Sequence, residues 1–102
     1  MKIKHLTIKI YRTYDDEIAY FSFYRDNNKN PFATLDGGWC THEQFIMACD
    51  LVKERKWLAL RAAVAIELDR DPKSFDIINI YPDGRRVILC SSDPVFTLEE
   101  LL

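Results

Sequence analysis

Two neighbouring segments near the N-terminus alternate between apolar and polar side chains, and this pattern constrains the fold more than any other feature. Within residues 3–12, the aliphatic side chains of Leu6, Ile8 and Ile10 point one way, and polar or aromatic side chains point the other. Residues 18–25 repeat the alternation after a short polar turn. A period of two is typical of a half-buried β-strand, and the short connection favours an antiparallel hairpin.

A second hairpin is predicted near the C-terminus. Residues 75–81 and 86–90 are rich in β-branched and aromatic side chains, and Pro82-Asp83-Gly84 lies between them. Proline has a fixed φ and glycine tolerates a positive φ, so this tripeptide strongly indicates a turn. Residues 32–35 add a short third strand to the first hairpin, which gives four or five strands in total.

The middle of the chain is predicted to be helical from Thr41 onwards. Thr41-His42-Glu43-Gln44 matches a capping box, in which the threonine hydroxyl accepts from a backbone amide and the glutamine reaches back. Phe45, Cys49 and Val52 then follow at helical spacing. The charged run at residues 53–56 interrupts this apolar face, so the helix is expected to bend or end there.

The segment from Trp57 to Leu68 is open to two interpretations. Its four alanines favour a helix by intrinsic propensity. Its apolar residues also alternate along the segment, which is a strand pattern. We interpret it as a second helix. Trp39 and Trp57 flank the first helix, and both are predicted to lie in the core.

These elements predict one α+β domain over residues 1–102. The expected order is ββ(β)-α-α-ββ-α, where the last helical turn begins at Thr97. An antiparallel sheet made of the two hairpins, with one or two helices packed on one face, accommodates this order. With 48% hydrophobic residues, the composition is that of a folded domain.

Charge and cysteine content give expectations about location and partners. Fourteen basic against sixteen acidic residues leave a formal net charge of −2, whereas proteins that bind duplex DNA usually carry a basic excess. Neither a signal peptide nor a membrane span is recognisable in the sequence. The three cysteines are widely spaced and odd in number. We therefore expect a cytoplasmic protein that has no membrane partner.

No catalytic, metal or cofactor site is predicted. Cys40 precedes the predicted helix start, where the helix dipole favours a thiolate, and His42 is two residues further on. A cysteine-dependent enzyme at Cys40 and His42 is the alternative to a non-enzymatic protein, but no third orienting group is identifiable. The histidines and cysteines lack the spacing of a zinc site, and no phosphate-binding glycine motif occurs.

One face of the first hairpin is the best candidate for a binding surface. Pairing of the two strands gathers tyrosines and a lysine on the side opposite the aliphatic residues. The predicted partner-binding residues are Lys9, Tyr11, Tyr20, Ser22 and Tyr24. Such a composition is enriched at protein–protein hot spots, and it also suits the stacking of single-stranded bases. Tyrosine is equally favoured on half-exposed strands that bind nothing.

The predicted function is a small protein-binding module. It would act as a regulator or inhibitor by occupying the surface of a partner protein, as inhibitors of the mobile-element or immunity type do. The alternative is a single-stranded nucleic-acid-binding protein that uses the same aromatic face. A homodimer is a further possibility, because an edge strand of either hairpin can pair with its own copy.

Overall fold

In the computed structural model, the described part of the chain forms five strands and two α-helices. The structure describes residues 4–68 and 74–92, and for residues 40, 65–68 and 92 it describes the backbone alone. The strands are β1 (His5–Arg12), β2 (Ile18–Arg25), β3 (Ala33–Asp36), β4 (Ser74–Ile80) and β5 (Arg86–Ser92). The helices are α1 (His42–Lys53), which follows a short 3-10 turn at Trp39–Thr41, and α2 (Trp57–Leu68).

The strands form one mixed sheet in the order β3-β2-β1-β4-β5. Each predicted hairpin is antiparallel, but β1 and β4 pair in parallel, so the prediction of a purely antiparallel sheet is wrong. The reason is the helical connection between the hairpins. Parallel neighbours need a crossover of a dozen or more residues, and the segment containing α1 and α2 supplies it. The helical turn predicted from Thr97 lies outside the described residues.

The core lies between the sheet and the two helices. The alternating aliphatic residues of β1, Leu6, Ile8 and Ile10, are fully buried on the helix side of the sheet, as the sequence pattern predicts. The remaining core residues come from the neighbouring strands and both helices: Phe21, Phe23, Phe75, Ile77, Ala48, Cys49, Val52 and Leu60. Both helices therefore cover the same face of the sheet.

Helix α1 does not begin with the predicted capping box, and its C-terminal end has a capping motif of its own. The Thr41 hydroxyl donates to the Asp36 carbonyl at 2.8 Å, and it accepts no hydrogen bond from a helix amide. At the other end Arg55 has a φ of +56°. The amide of Arg55 donates to the Val52 carbonyl and that of Lys56 to the Leu51 carbonyl, which is the Schellman pattern of a helix end. The predicted break in the charged run is thus confirmed.

The two tryptophans have different environments. The prediction that residues 57–68 are helical is confirmed, and Trp57 packs partly buried against the core. Trp39 is 98% exposed, so its predicted place in the core is wrong. It lies in the 3-10 turn ahead of α1, whereas the face of α1 that meets the sheet begins at Phe45. In the described part of the chain, no helix is long and apolar enough to cross a membrane.

Candidate binding surface on the open face of the sheet

The face of the sheet opposite the helices, here called the open face, carries a row of aromatic and aliphatic side chains. Strand register places Tyr20 beside Tyr11, Tyr11 beside Ile80, and Ile80 beside Arg86. We call Tyr20, Tyr11 and Ile80 the tyrosine row. Asp36 pairs with Tyr20 at the β3 end, so the row runs between an acidic and a basic residue.

The tyrosines of the open face are fixed by contacts with one another. The rings of Tyr11 and Tyr20 are stacked, with 4.5 Å between centroids and 11° between planes. The hydroxyls of Tyr11 and Tyr24 lie 3.3 Å apart and share a hydrogen bond. The ammonium of Lys9 lies 4.4 Å from the centre of the Tyr24 ring. These contacts restrict the rotamers, so the surface is organised before any partner binds.

The five predicted partner-binding residues all lie on this face, but their exposure differs. Tyr20 is 37% exposed, and Tyr11 and Lys9 are partly exposed. Tyr24 is 7% exposed and Ser22 is 3% exposed. Of the five, Tyr20, Tyr11 and Lys9 are therefore accessible to a partner, whereas Tyr24 contacts Lys9 and Tyr11 from a buried position.

Residues of the second hairpin that the sequence reasoning missed complete the surface. Ile78 pairs with Lys9, and Ile88 on β5 pairs with Ile78, so these isoleucines extend the open face away from the tyrosines. At the adjoining turn the guanidinium of Arg85 lies 4.2 Å from the centre of the Tyr81 ring. The sequence does show that residues 76, 78 and 80 lie on one face of a strand, because they are two positions apart. Placing them beside the tyrosines required the unforeseen β1–β4 pairing.

The environment of Tyr11 raises the pKa of its hydroxyl to about 12. Burial is the main cause, followed by the hydrogen bond to Tyr24 and by the charges that Tyr24 and Tyr20 acquire at high pH, while Arg86 acts in the opposite direction. An unfolded tyrosine has a pKa near 10. Because the folded pKa is the higher one, this group costs no stability below about pH 10, and stability is lost as the pH rises from about 10 to 12.

An ultraviolet titration tests this geometry. One of the five tyrosines should ionise near pH 12 in the folded protein, and replacing Tyr11 with phenylalanine should remove that step. The same substitution should reduce the loss of stability between about pH 10 and 12. Tyr14→Phe is the matched control, since Tyr14 is almost fully exposed in the first turn. If the late step survives Tyr11→Phe, the raised pKa belongs to another tyrosine and the described environment of Tyr11 is wrong.

A polar network occupies the end of the open face that is farthest from the tyrosine row. The carboxylate of Asp76 accepts from Nε2–H of His5 at 3.0 Å and from the Ser91 hydroxyl at 2.6 Å. In a neutral imidazole Nδ1 then accepts from the Ser74 hydroxyl, 2.6 Å away. Serine, histidine and aspartate are the residue types of a hydrolase triad, but Ser74 is 4% exposed, which closes its hydroxyl to a substrate. The network ties β1, β4 and β5 together.

Removing Asp76 from this network should destabilise the protein. We expect Asp76→Ala to lower the free energy of unfolding by about 1–2 kcal/mol, because two donors lose their acceptor at a partly buried position. Urea denaturation measures the change, and Asp15→Ala in the exposed first turn is the control. A double-mutant cycle with His5→Ala should show a coupling of about 0.5 kcal/mol or more. A coupling of zero would mean that the His5–Asp76 bond adds nothing.

The alternative of a cysteine-dependent enzyme at Cys40 and His42 stays a prediction, because the side chain of Cys40 is not among those that the structure describes. The ring of His42 lies 3.4 Å from the Gly37 carbonyl through Nδ1. Burial raises the pKa of both Cys49 and Cys90, which favours the unreactive thiol form. Among the described residues, no three histidine, cysteine or acidic side chains converge as a metal site would require.

A cleft lies on the other side of the molecule, between β3 and the helices. Its volume is about 390 Å³, and apolar side chains such as Phe32, Leu35, Met47 and Val64 dominate its lining. The Thr41 hydroxyl at its margin already donates to a backbone carbonyl. Specific small-molecule sites combine an apolar lining with a few converging polar groups, and the polar residues of this lining are Thr34, Thr41 and Gln44.

Comparisons with known proteins leave this description unchanged. Neither a protein-family model, nor a curated protein, nor a solved structure matches the chain significantly. The function is therefore inferred from the geometry of the open face.

Proposed function

We propose that this protein is a small binding module that regulates or inhibits a partner protein by covering part of its surface with the open face of the sheet. The observation that carries the proposal is the tyrosine row. In a sheet with helices on one side, its members lie on the side that the helices leave uncovered.

The chemistry of the row supports a protein partner. Tyrosine is enriched at the energetic centre of protein interfaces, since it combines a large apolar ring with a hydrogen-bonding hydroxyl. Tyr11 and Tyr20 are already stacked, so little rotamer entropy remains to be lost on binding. Asp36 and Arg86 at the two ends of the row add charges of opposite sign, which can set the orientation of a partner.

A single-stranded nucleic acid is the second candidate, because Lys9 and Arg86 lie beside the tyrosines. Two observations weigh against it. Each stacked ring already uses one of its faces on the other tyrosine, which reduces the ring surface available to bases. The formal net charge of −2 also opposes phosphate binding. Binding of a labelled oligonucleotide at low salt, weakening steeply as salt is added, would favour this candidate over the first.

Affinity capture with matched baits tests the proposal. The unmodified chain, the Tyr11→Ala/Tyr20→Ala variant and the Trp39→Ala variant are each used as bait, and the captured proteins are quantified by mass spectrometry. We expect a protein that the first and third baits enrich and the second does not. Trp39 controls for the loss of an exposed aromatic ring elsewhere. Equal capture by all three baits would place the interface away from Tyr11 and Tyr20 and contradict the role of the tyrosine row.

A further inference from the structure

The two edges of the sheet differ in how well they resist pairing with another strand. On one edge β3 has only four residues, and it ends at the exposed acidic side chain of Asp36. On the other edge β5 has seven residues without proline, lysine or an acidic side chain, and its one charged residue, Arg86, lies at its first position. Proteins usually protect long edges with proline, lysine or acidic residues. The side chain of Ile88, in the middle of β5, is 65% exposed.

The hairpin turn determines which backbone groups of β5 point away from the sheet. The amide of Tyr81 donates to the Arg85 carbonyl at 2.9 Å, so these two residues form a hydrogen-bonded pair. Hydrogen-bonded and non-bonded pairs alternate along an antiparallel ladder. Val87, paired with Asn79, therefore points its amide and carbonyl inward. Arg86 and Ile88 point theirs outward, where β5 has no neighbouring strand among the described residues.

We infer that β5 pairs with β5 of a second copy of this chain, antiparallel and with Ile88 opposite Ile88 on the two-fold axis. In this register the two Ile88 residues exchange both of their outward backbone hydrogen bonds, and their exposed side chains meet. An antiparallel pair also places the arginines of the two copies, Arg85 and Arg86, at opposite ends of the joined strands. A parallel pair would bring these like charges together, which is unfavourable.

The sheet itself limits the strength and sets the shape of this dimer. Leu89 has no partner on β4, which makes a bulge that restricts regular pairing to the segment around Ile88. A short interface of this kind belongs to the weak class, below about 1,200 Å² of buried area. The two-fold axis stands perpendicular to the sheet, so both open faces look the same way and the dimer presents two tyrosine rows.

Sedimentation velocity over about 5 to 500 µM, the range suited to a weak interface, tests the dimer. We expect the weight-average mass to rise towards twice that of the chain. Ile88→Lys should keep the protein monomeric at every concentration, because two lysines would face each other across the axis. Thr34→Lys puts the same charge on the open face of the β3 edge and should leave dimerisation unchanged. Circular dichroism checks that each variant is folded.

Amide hydrogen exchange supplies a readout that does not depend on a substitution. The Ile88 amide should become at least about tenfold better protected from dilute to concentrated protein, whereas the inward Val87 amide should be protected throughout. A chain that stays monomeric, or a dimer that survives Ile88→Lys with unchanged Ile88 exchange, would overturn the inference. Since Tyr11 and Tyr20 take no part in this edge, the outcome is separate from that of the capture experiment.

Discussion

Replacing Phe21 with alanine is expected to lower the free energy of unfolding by about 3–5 kcal/mol. Phe21 has no exposed surface, and its ring lies edge-on to Phe45 at 5.8 Å and parallel to Phe23 at 6.5 Å. It joins β2 to α1 at the centre of the core, so alanine would leave a cavity that these elements cannot fill. Because small domains are stable by about 5–15 kcal/mol, the loss is a large share of the total.

Urea denaturation followed by circular dichroism measures this loss. Tyr14→Ala, which removes an aromatic ring from the exposed first turn, is the control and should change stability by less than about 0.5 kcal/mol. A shift in the register of β2 by one residue would exchange its two faces. A cost below about 1 kcal/mol for Phe21→Ala would therefore indicate that the tyrosines, rather than the phenylalanines, face the helices.

The second large effect is expected in binding. Replacing Tyr11 and Tyr20 together with alanine should raise the Kd for the captured partner protein about 100-fold or more, since central tyrosines of an interface contribute about 2 kcal/mol each. Tyr24 is left in place because it is buried and contacts both Lys9 and Tyr11, so its loss would also cost stability. Isothermal titration calorimetry measures the Kd.

Trp39→Ala serves as the control for this loss of affinity. It removes a larger and more exposed ring from the turn before α1, and it should change the Kd by less than about threefold. Thermal unfolding of both variants establishes that they are folded at the temperature of the titration. A tyrosine variant that is folded and binds normally would contradict the proposed role of the row.

Local patterns in the sequence were sufficient to predict most elements. The alternation around Ile8 and Phe21 identified both strands of the first hairpin and the side of each that faces the helices. Gly84, with a φ of +90°, makes the predicted turn of the second hairpin. Helix propensity outweighed alternation between Trp57 and Leu68, because four alanines lose little side-chain entropy in a helix.

Features that depend on distant parts of the chain were not predictable in this way. The parallel pairing of β1 with β4 joins residues about 70 positions apart, such as Ile8 and Ile77, and no local signal specifies it. The bonds of His5 to Ser74 and Asp76 follow from the same pairing. The exposure of Trp39 depends on where the core face of α1 begins, which is likewise a property of packing.

Isoleucine-methyl NMR tests most directly whether a partner protein covers the tyrosine row, as we propose. Isoleucines are present in each region that must be distinguished. Ile80 lies within the row, Ile8 and Ile77 lie in the core, and Ile46 lies on the exposed side of α1. On titration with the captured partner, the Ile80 methyl signal should shift or broaden first, while those of Ile8, Ile77 and Ile46 stay in place. Perturbation of Ile46 with Ile80 unchanged would contradict the claim and move the interface to the helical side.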